Sequence, residues 1–241
     1  MEAYFDTVSK EGLHPNKGNL KFGMHTLFGG IDFQNKRVLD IGGGRGLHSF
    51  YEACAGAKEV LCLEPESDGS SSGVIARFQK LRRVLNRDNI ALSATTLQDF
   101  EPDGKEFDII LLINSINHLD EIACINLLSD ANSTATYLEI FSKLYKLSAN
   151  GAKLIICDCT RHNFFAFIGI RNPFAPTIDW RKHQAPEVWA DMLSDVGFVS
   201  PRITWSSFNS LRLWGRVFLG NKFIAYFLIS HFCLTMEKHS E

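Results

Sequence analysis

The chain has 241 residues, 45% of them hydrophobic, and a formal net charge of −2. That length can bury a full core as a single domain, residues 1–241, and so balanced a charge gives no global attraction for nucleic acid. No apolar run reaches the roughly 20 residues that a bilayer span needs, so there is no transmembrane segment to expect. Met1 to Asp6 is neither a basic nor an apolar leader, and no signal peptide is expected. The six cysteines (54, 62, 124, 157, 159, 233) form no C-x-x-C pair and several sit in apolar runs. They read as core thiols of a reducing, cytoplasmic compartment, with no metal site. Cys157 and Cys159 are expected to point apart on a strand, away from shared ligation.

Residues 1–36 form a leader: a turn-rich loop over Glu11–Asn19, then a short helix over Leu20–Phe28. Next, Val38, Leu39 and Ile41 make the short apolar run of a buried parallel strand. Gly42, Gly44 and Gly46 follow, supplying the backbone freedom that lets main chain approach a ligand closely. Leu47–Ala55 reads as a helix whose N-terminus faces the same spot. A second apolar run, Val60–Leu63, ends in Glu64, placed to accept hydrogen bonds from the hydroxyls of a ribose. A dinucleotide fingerprint would need G-x-G-x-x-G, but Leu47 or His48 stands where its last glycine belongs, which argues against a nicotinamide or sugar-nucleotide enzyme.

The spacing present, Asp40-Ile41-Gly42-Gly43-Gly44-Arg45-Gly46, resembles motif I of the class I S-adenosylmethionine-dependent methyltransferases. The resemblance implies a doubly wound α/β fold with a seven-stranded, mostly parallel sheet, helices on both faces and an antiparallel last strand. It also implies S-adenosylmethionine as cofactor and S-adenosylhomocysteine as product. Asp40 would lie near the methionine end, and Glu64, with Pro65 behind it, would hold the ribose. The leader would fold over the cofactor, with Phe22 and His25 able to close the pocket; a surface helix packed on the sheet reads equally well.

Past Glu64 a small-polar stretch ends in a serine N-cap, and Val74, Phe78, Leu81 and Leu85 recur at helical spacing between solvated cations. Ile90–Leu92 begins the third strand. Leu97 would then lie against an adenine face, with Gln98 or Asp99 accepting from its amine; a plain polar turn is the alternative. Phe107–Asn114 is apolar enough for a central strand buried on both faces, and with Asn114-Ser115-Ile116-Asn117-His118-Leu119 it resembles motif IV of the same family. Asn114, Ser115 and His118 therefore sit where donor and acceptor would meet.

Helical spacing returns over Ile122–Leu128 and Thr136–Leu147, with Ala131–Ser133 between, and Lys153–Asp158 is the fifth strand. The pattern then breaks over residues 160–186, an aromatic insertion suited to lining an acceptor pocket. Glu187–Phe198 resembles the last family helix and its glycine–phenylalanine exit. Leu211–Leu228 is expected as one helical connection, and Ser230–Lys238 as the antiparallel seventh strand. Together the sequence suggests a methyltransferase acting on a small, aromatic or hydrophobic molecule, most simply at oxygen, with His118 or His183 as base. Phe164, Phe165, Phe167 and Trp180 should face the tail aromatics over a pocket with few polar groups. Two other readings stay open: a non-catalytic cofactor-binding module, and an N- or C-methyltransferase on a lipid-like acceptor, the basic-aromatic tail touching a membrane surface.

Overall fold

Val38, Leu39, Ile110, Leu111 and Leu112 are all fully buried, which is what uninterrupted apolar runs require when both faces of a sheet are covered. They belong to a computed structural model that describes residues 1–66, 73–206 and 208–240. Seven strands, β1 (Arg37–Ile41), β2 (Glu59–Leu63), β3 (Ile90–Ser93), β4 (Phe107–Ile113), β5 (Ser148–Cys159), β6 (Phe198–Trp205) and β7 (His231–Lys238), form one sheet in the order β3-β2-β1-β4-β5-β7-β6. β1 is parallel to β2 and β4, β2 to β3, and β7 runs antiparallel to both β5 and β6. This is the expected α/β sheet with its antiparallel last strand. Pro201 falls in β6, an edge strand with a bulge between Val199 and Arg202, where a missing N–H costs least.

By backbone contacts the chain divides into two compact units, Met1–Leu112 and Ile113–Glu241. In the first unit the leader is more structured than its composition suggests: α1 (Glu2–Lys10) precedes α2 (Lys17–Phe28). Tyr4, Phe5 and Val8 are buried, and the Tyr4 hydroxyl donates to the Leu47 carbonyl at 2.7 Å. Leu47 opens α3 (Leu47–Cys54), so the leader is tied to the helix behind the glycines. Phe28 stacks on Tyr51 of α3 at 5.2 Å. Phe22 is half-buried and His25 exposed. The expected serine cap lies outside the described residues; α4 (Val74–Leu85) starts from Gly73, which is left-handed at φ 74°.

In the second unit α5 (Glu121–Asn126) and α6 (Ala131–Leu147) follow β4. Ala131–Ser133 are the first turn of α6 and not a connector, because the Asp130 side chain caps them, accepting from the Ser133 N–H at 2.9 Å. Tyr137 and Phe141 of α6 pack on Trp189 of α8 (Pro186–Asp195), ring centroids 5.0 and 5.7 Å apart. α7 (Phe164–Phe167) lies in the insertion. The tail is not one helix: a turn, α9 (Arg212–Trp214), runs into a π-turn (Gly215–Leu219), and α10 (Lys222–Phe227) starts afresh. The break falls at Gly220, whose ψ of 50° is not helical and where a Cβ would lie 2.5 Å from the Arg216 carbonyl oxygen, so that glycine alone fits; the Asn221 side chain then caps α10. Cys157 and Cys159 pair with Cys233 and His231 across β7. Standing two apart on one strand, they share a face, which corrects the expectation that they point apart.

Candidate functional site

In the first unit, β1 delivers Asp40 one residue before its end, and the glycine loop leaves from Ile41. Gly42, Gly44 and Gly46 take φ of 69°, 55° and 79°, the left-handed region that side chains resist. Gly43 is needed for a different reason. A Cβ on it would lie 2.6 Å from both Asp40 Oδ2 and Cys62 Sγ, so the loop is pressed onto the strand tips. On Gly44 a Cβ would meet nothing nearer than Glu64 Oε2 at 4.0 Å, leaving the loop open on that side.

Glu64, at the end of β2, is 4% exposed. Its Oε2 accepts from the Gly44 N–H at 2.8 Å and its Oε1 from the Glu66 N–H at 3.1 Å. Asp40 is buried; Ser49 Oγ donates to its Oδ2 at 2.5 Å, while Oδ1 has no partner. Burial pushes the Asp40 carboxyl up to about 6, against the Ser49 hydrogen bond, and the Glu64 charge adds to the rise. Glu52 of α3 is buried as well, both of its oxygens are unpartnered, and burial raises its carboxyl well above the usual range. Two acids at adjacent strand ends, neither in an ion pair among the described residues, suit a ligand with a diol and a positive charge. Pro65 follows Glu64 and is half-buried. Leu97 is buried, and Asp99 accepts from the Thr96 hydroxyl at 2.7 Å in a local turn; Gln98 lies between them.

The second unit carries a cavity of about 570 Å³. Asn114, just past β4, lines it with a left-handed backbone (φ 55°), a conformation Asn tolerates better than most residues, and its N–H donates to the Cys157 carbonyl at 2.7 Å. Ser115 is buried beside it along the chain. His118 lies on the wall with a half-exposed side chain. Its Nδ1 is 2.7 Å from Glu121 Oε1, and Glu121 also takes the Lys182 ammonium at 2.6 Å. Those two bonds, the lysine's first, hold the Glu121 carboxyl below its ordinary range. His183 is buried, with Nδ1 3.1 Å from Asp158 Oδ1. Arg161 fixes that segment, donating from Nε to the His183 carbonyl and from Nη2 to the Arg181 carbonyl, both at 2.9 Å.

The cavity is more polar than the sequence suggests: Asn117, Asp158, Asp179, Lys182 and His231 join the two histidines on its wall. Of the described Phe, Tyr and Trp residues, Phe174 and Phe208 alone line it. Phe164 is spent packing on Phe227 at 5.2 Å, and Phe167 is 81% exposed. Asp158 is the residue that sequence reasoning missed. Its signal was available, because it ends the apolar run Leu154–Cys157 as Glu64 ends Val60–Leu63.

Comparison with solved structures gives a full-length likeness. The chain superposes on a SAM-dependent methyltransferase from Aquifex aeolicus with TM-score 0.61 and 12% identity, covering 95% of each chain. The fold is that of the class I methyltransferases. The N-methyltransferase NodS from Bradyrhizobium japonicum WM9, solved with S-adenosyl-L-homocysteine, matches at TM-score 0.53 and 13% identity, over 91% of this chain and 85% of that one. The [4+2]-cyclase SpnF matches at TM-score 0.57 and 14% identity, over 93% and 82%. No family model and no curated protein matches the chain. The methyltransferase fold is thus shared with a cyclase, and the reaction has to be argued from side chains.

Proposed function

We propose that the chain binds S-adenosylmethionine and methylates a small molecule. The observation that carries the cofactor reading is Glu64, a buried carboxylate ending β2 and bonded to the glycine-loop N–H of Gly44. NodS, with the same fold, was solved with the demethylated product. Glu64 would hold the ribose hydroxyls, Asp40 the positive methionine end, and Leu97, Gln98 and Asp99 the adenine; Gly42, Gly44 and Gly46 give the close backbone approach. The bound sulfonium is already an activated methyl donor. What the chain adds is alignment and exclusion of water.

An oxygen acceptor also has to lose its proton, and His183 is the better-placed base. With Nδ1–H donated to Asp158, Nε2 keeps its lone pair. Nε2 of His183 would take the acceptor's hydroxyl proton, while the cofactor would supply the methyl group. Asp158 acts through His183 and is a positioning residue. His118, half-exposed and tied to Glu121, is the second candidate. An acceptor in the cavity of the second unit would meet both hydrogen-bonding groups and the rings of Phe174 and Phe208, which suits a flat or amphiphilic molecule. The free thiols suit a cytoplasmic setting.

The test is methyl-labelled cofactor incubated with the protein and a small-molecule extract, followed by solvent extraction of labelled product. His183→Ala and Asp158→Asn are each expected to lower labelling by roughly 10²–10⁴-fold with cofactor affinity unchanged. Labelling that survives in both but collapses in His118→Ala would move the base to His118. No labelled product with any extract would favour a cofactor-binding module without turnover.

A further inference from the structure

Exposed large apolar side chains concentrate in two segments of the second unit. In the insertion Phe167 is 81% exposed, with Ile170 and Phe174 also exposed. In the tail Trp214 and Phe223 are 74% and 71% exposed, with Leu213, Val217 and Phe218 beside them. Residues 213, 214, 217 and 218 fall on one face at helical spacing, and Trp214 stacks on Phe218 at 5.4 Å. The two segments meet through Phe164 and Phe227, whose rings are 5.2 Å apart. Such an apolar surface is unusual for a protein that meets only water.

Charge supplies the second observation. Residues 160–178 and 206–229 contain Arg161, Arg171, Arg212, Arg216 and Lys222 but no Asp or Glu, in a chain whose net charge is −2. Arg212 and Arg216 stand one turn apart beside Trp214, exposed and without an ion pair among the described residues. Lys222 is taken by Glu187 at 2.5 Å. No helix among the described residues is long and apolar enough to cross a membrane; the apolar side chains ride on short pieces. Aromatic rings with flanking arginines and no acids are the composition of a surface that seats at a lipid headgroup layer.

We propose that the insertion and the tail form a docking face for an anionic lipid bilayer. Phe174 and Phe208, one from each segment, have ring centroids 5.6 Å apart and both line the cavity, so the apolar face is continuous with the cavity wall. The docking face stands apart from the methyl-transfer reading, because its test reads partition alone.

The experiment is flotation of the full chain with vesicles of phosphatidylcholine, and of phosphatidylcholine mixed with phosphatidylglycerol. The protein is expected to float with the mixed vesicles, less so at high salt, and to stay behind with neutral ones. Trp214→Ser with Phe218→Ser should remain in solution, and Arg212→Gln with Arg216→Gln should bind about 25-fold more weakly, near five-fold per arginine. Circular dichroism checks that the variants are folded; should the serine pair misfold, the glutamine pair decides. Absence of flotation with mixed vesicles overturns the proposal, as does equal binding to both vesicle types. So does a concentration-dependent dimer that disappears in the serine pair while vesicles bind nothing, which would make a second copy the occupant.

Discussion

Asp40 and Glu52 are buried acids with no ion pair among the described residues, and their titration has a definite sign. An unfolded aspartate titrates near 4, whereas burial holds the proton on native Asp40 up to about 6. Between those values the native state binds more protons than the unfolded one, so stability is fully present below pH 4 and falls as pH rises through 6. The loss attributable to Asp40 is at most roughly 3 kcal/mol, at 1.36 kcal/mol per pH unit. Urea unfolding of the ligand-free protein should therefore give a higher midpoint at pH 5 than at pH 7.5, and Asp40→Asn should flatten the difference. An unchanged slope in the variant would place the effect elsewhere. Asp40 was visible in the sequence as the acid opening the glycine motif; its orphaned oxygen was not, because that depends on Ser49, nine residues on, taking the other one. Glu52 was invisible, since a glutamate in a helix reads as solvated until the packing around it is known.

At the scale of elements, the parallel strands were legible because burial on both faces leaves an apolar run no other explanation. Boundaries set by capping were not. Capped by Asp130, α6 starts at Ala131, five residues before Thr136, and Gly73 stands at the start of α4 where a serine cap was expected. The tail misled because its helical spacing is real, but Gly220 takes a non-helical ψ of 50° and the Asn221 side chain caps a new helix. The first helix escaped notice although Tyr4, Phe5 and Val8 already carry helical spacing. Its attachment gives a prediction. Tyr4→Phe removes only the hydroxyl that donates to the Leu47 carbonyl, and should cost about 0.5–1.5 kcal/mol by urea unfolding. No measurable change would mean that the leader is held by its rings alone and that the bond does not help to anchor α3.

For the molecule as a whole, the sheet order and the strand-end acids point to one cofactor, while the fold alone leaves the reaction undecided, as SpnF shows. The acceptor side was only partly legible. His118 and His183 were both expected at the pocket, but the Asp158 contact joins residues 25 apart, and no local pattern announces it. Lys182, Asp179 and His231 turned an expected apolar pocket into a mixed one for the same reason. The central claim is that the first unit is a site for S-adenosylmethionine built on Glu64. Isothermal titration of the folded protein with S-adenosylhomocysteine tests it most directly. Saturable binding is expected, weakened in Glu64→Ala by about 1.5–3 kcal/mol, the range for hydrogen bonds to a charged group. No heat with the folded wild type, or equal affinity in Glu64→Ala, would contradict it.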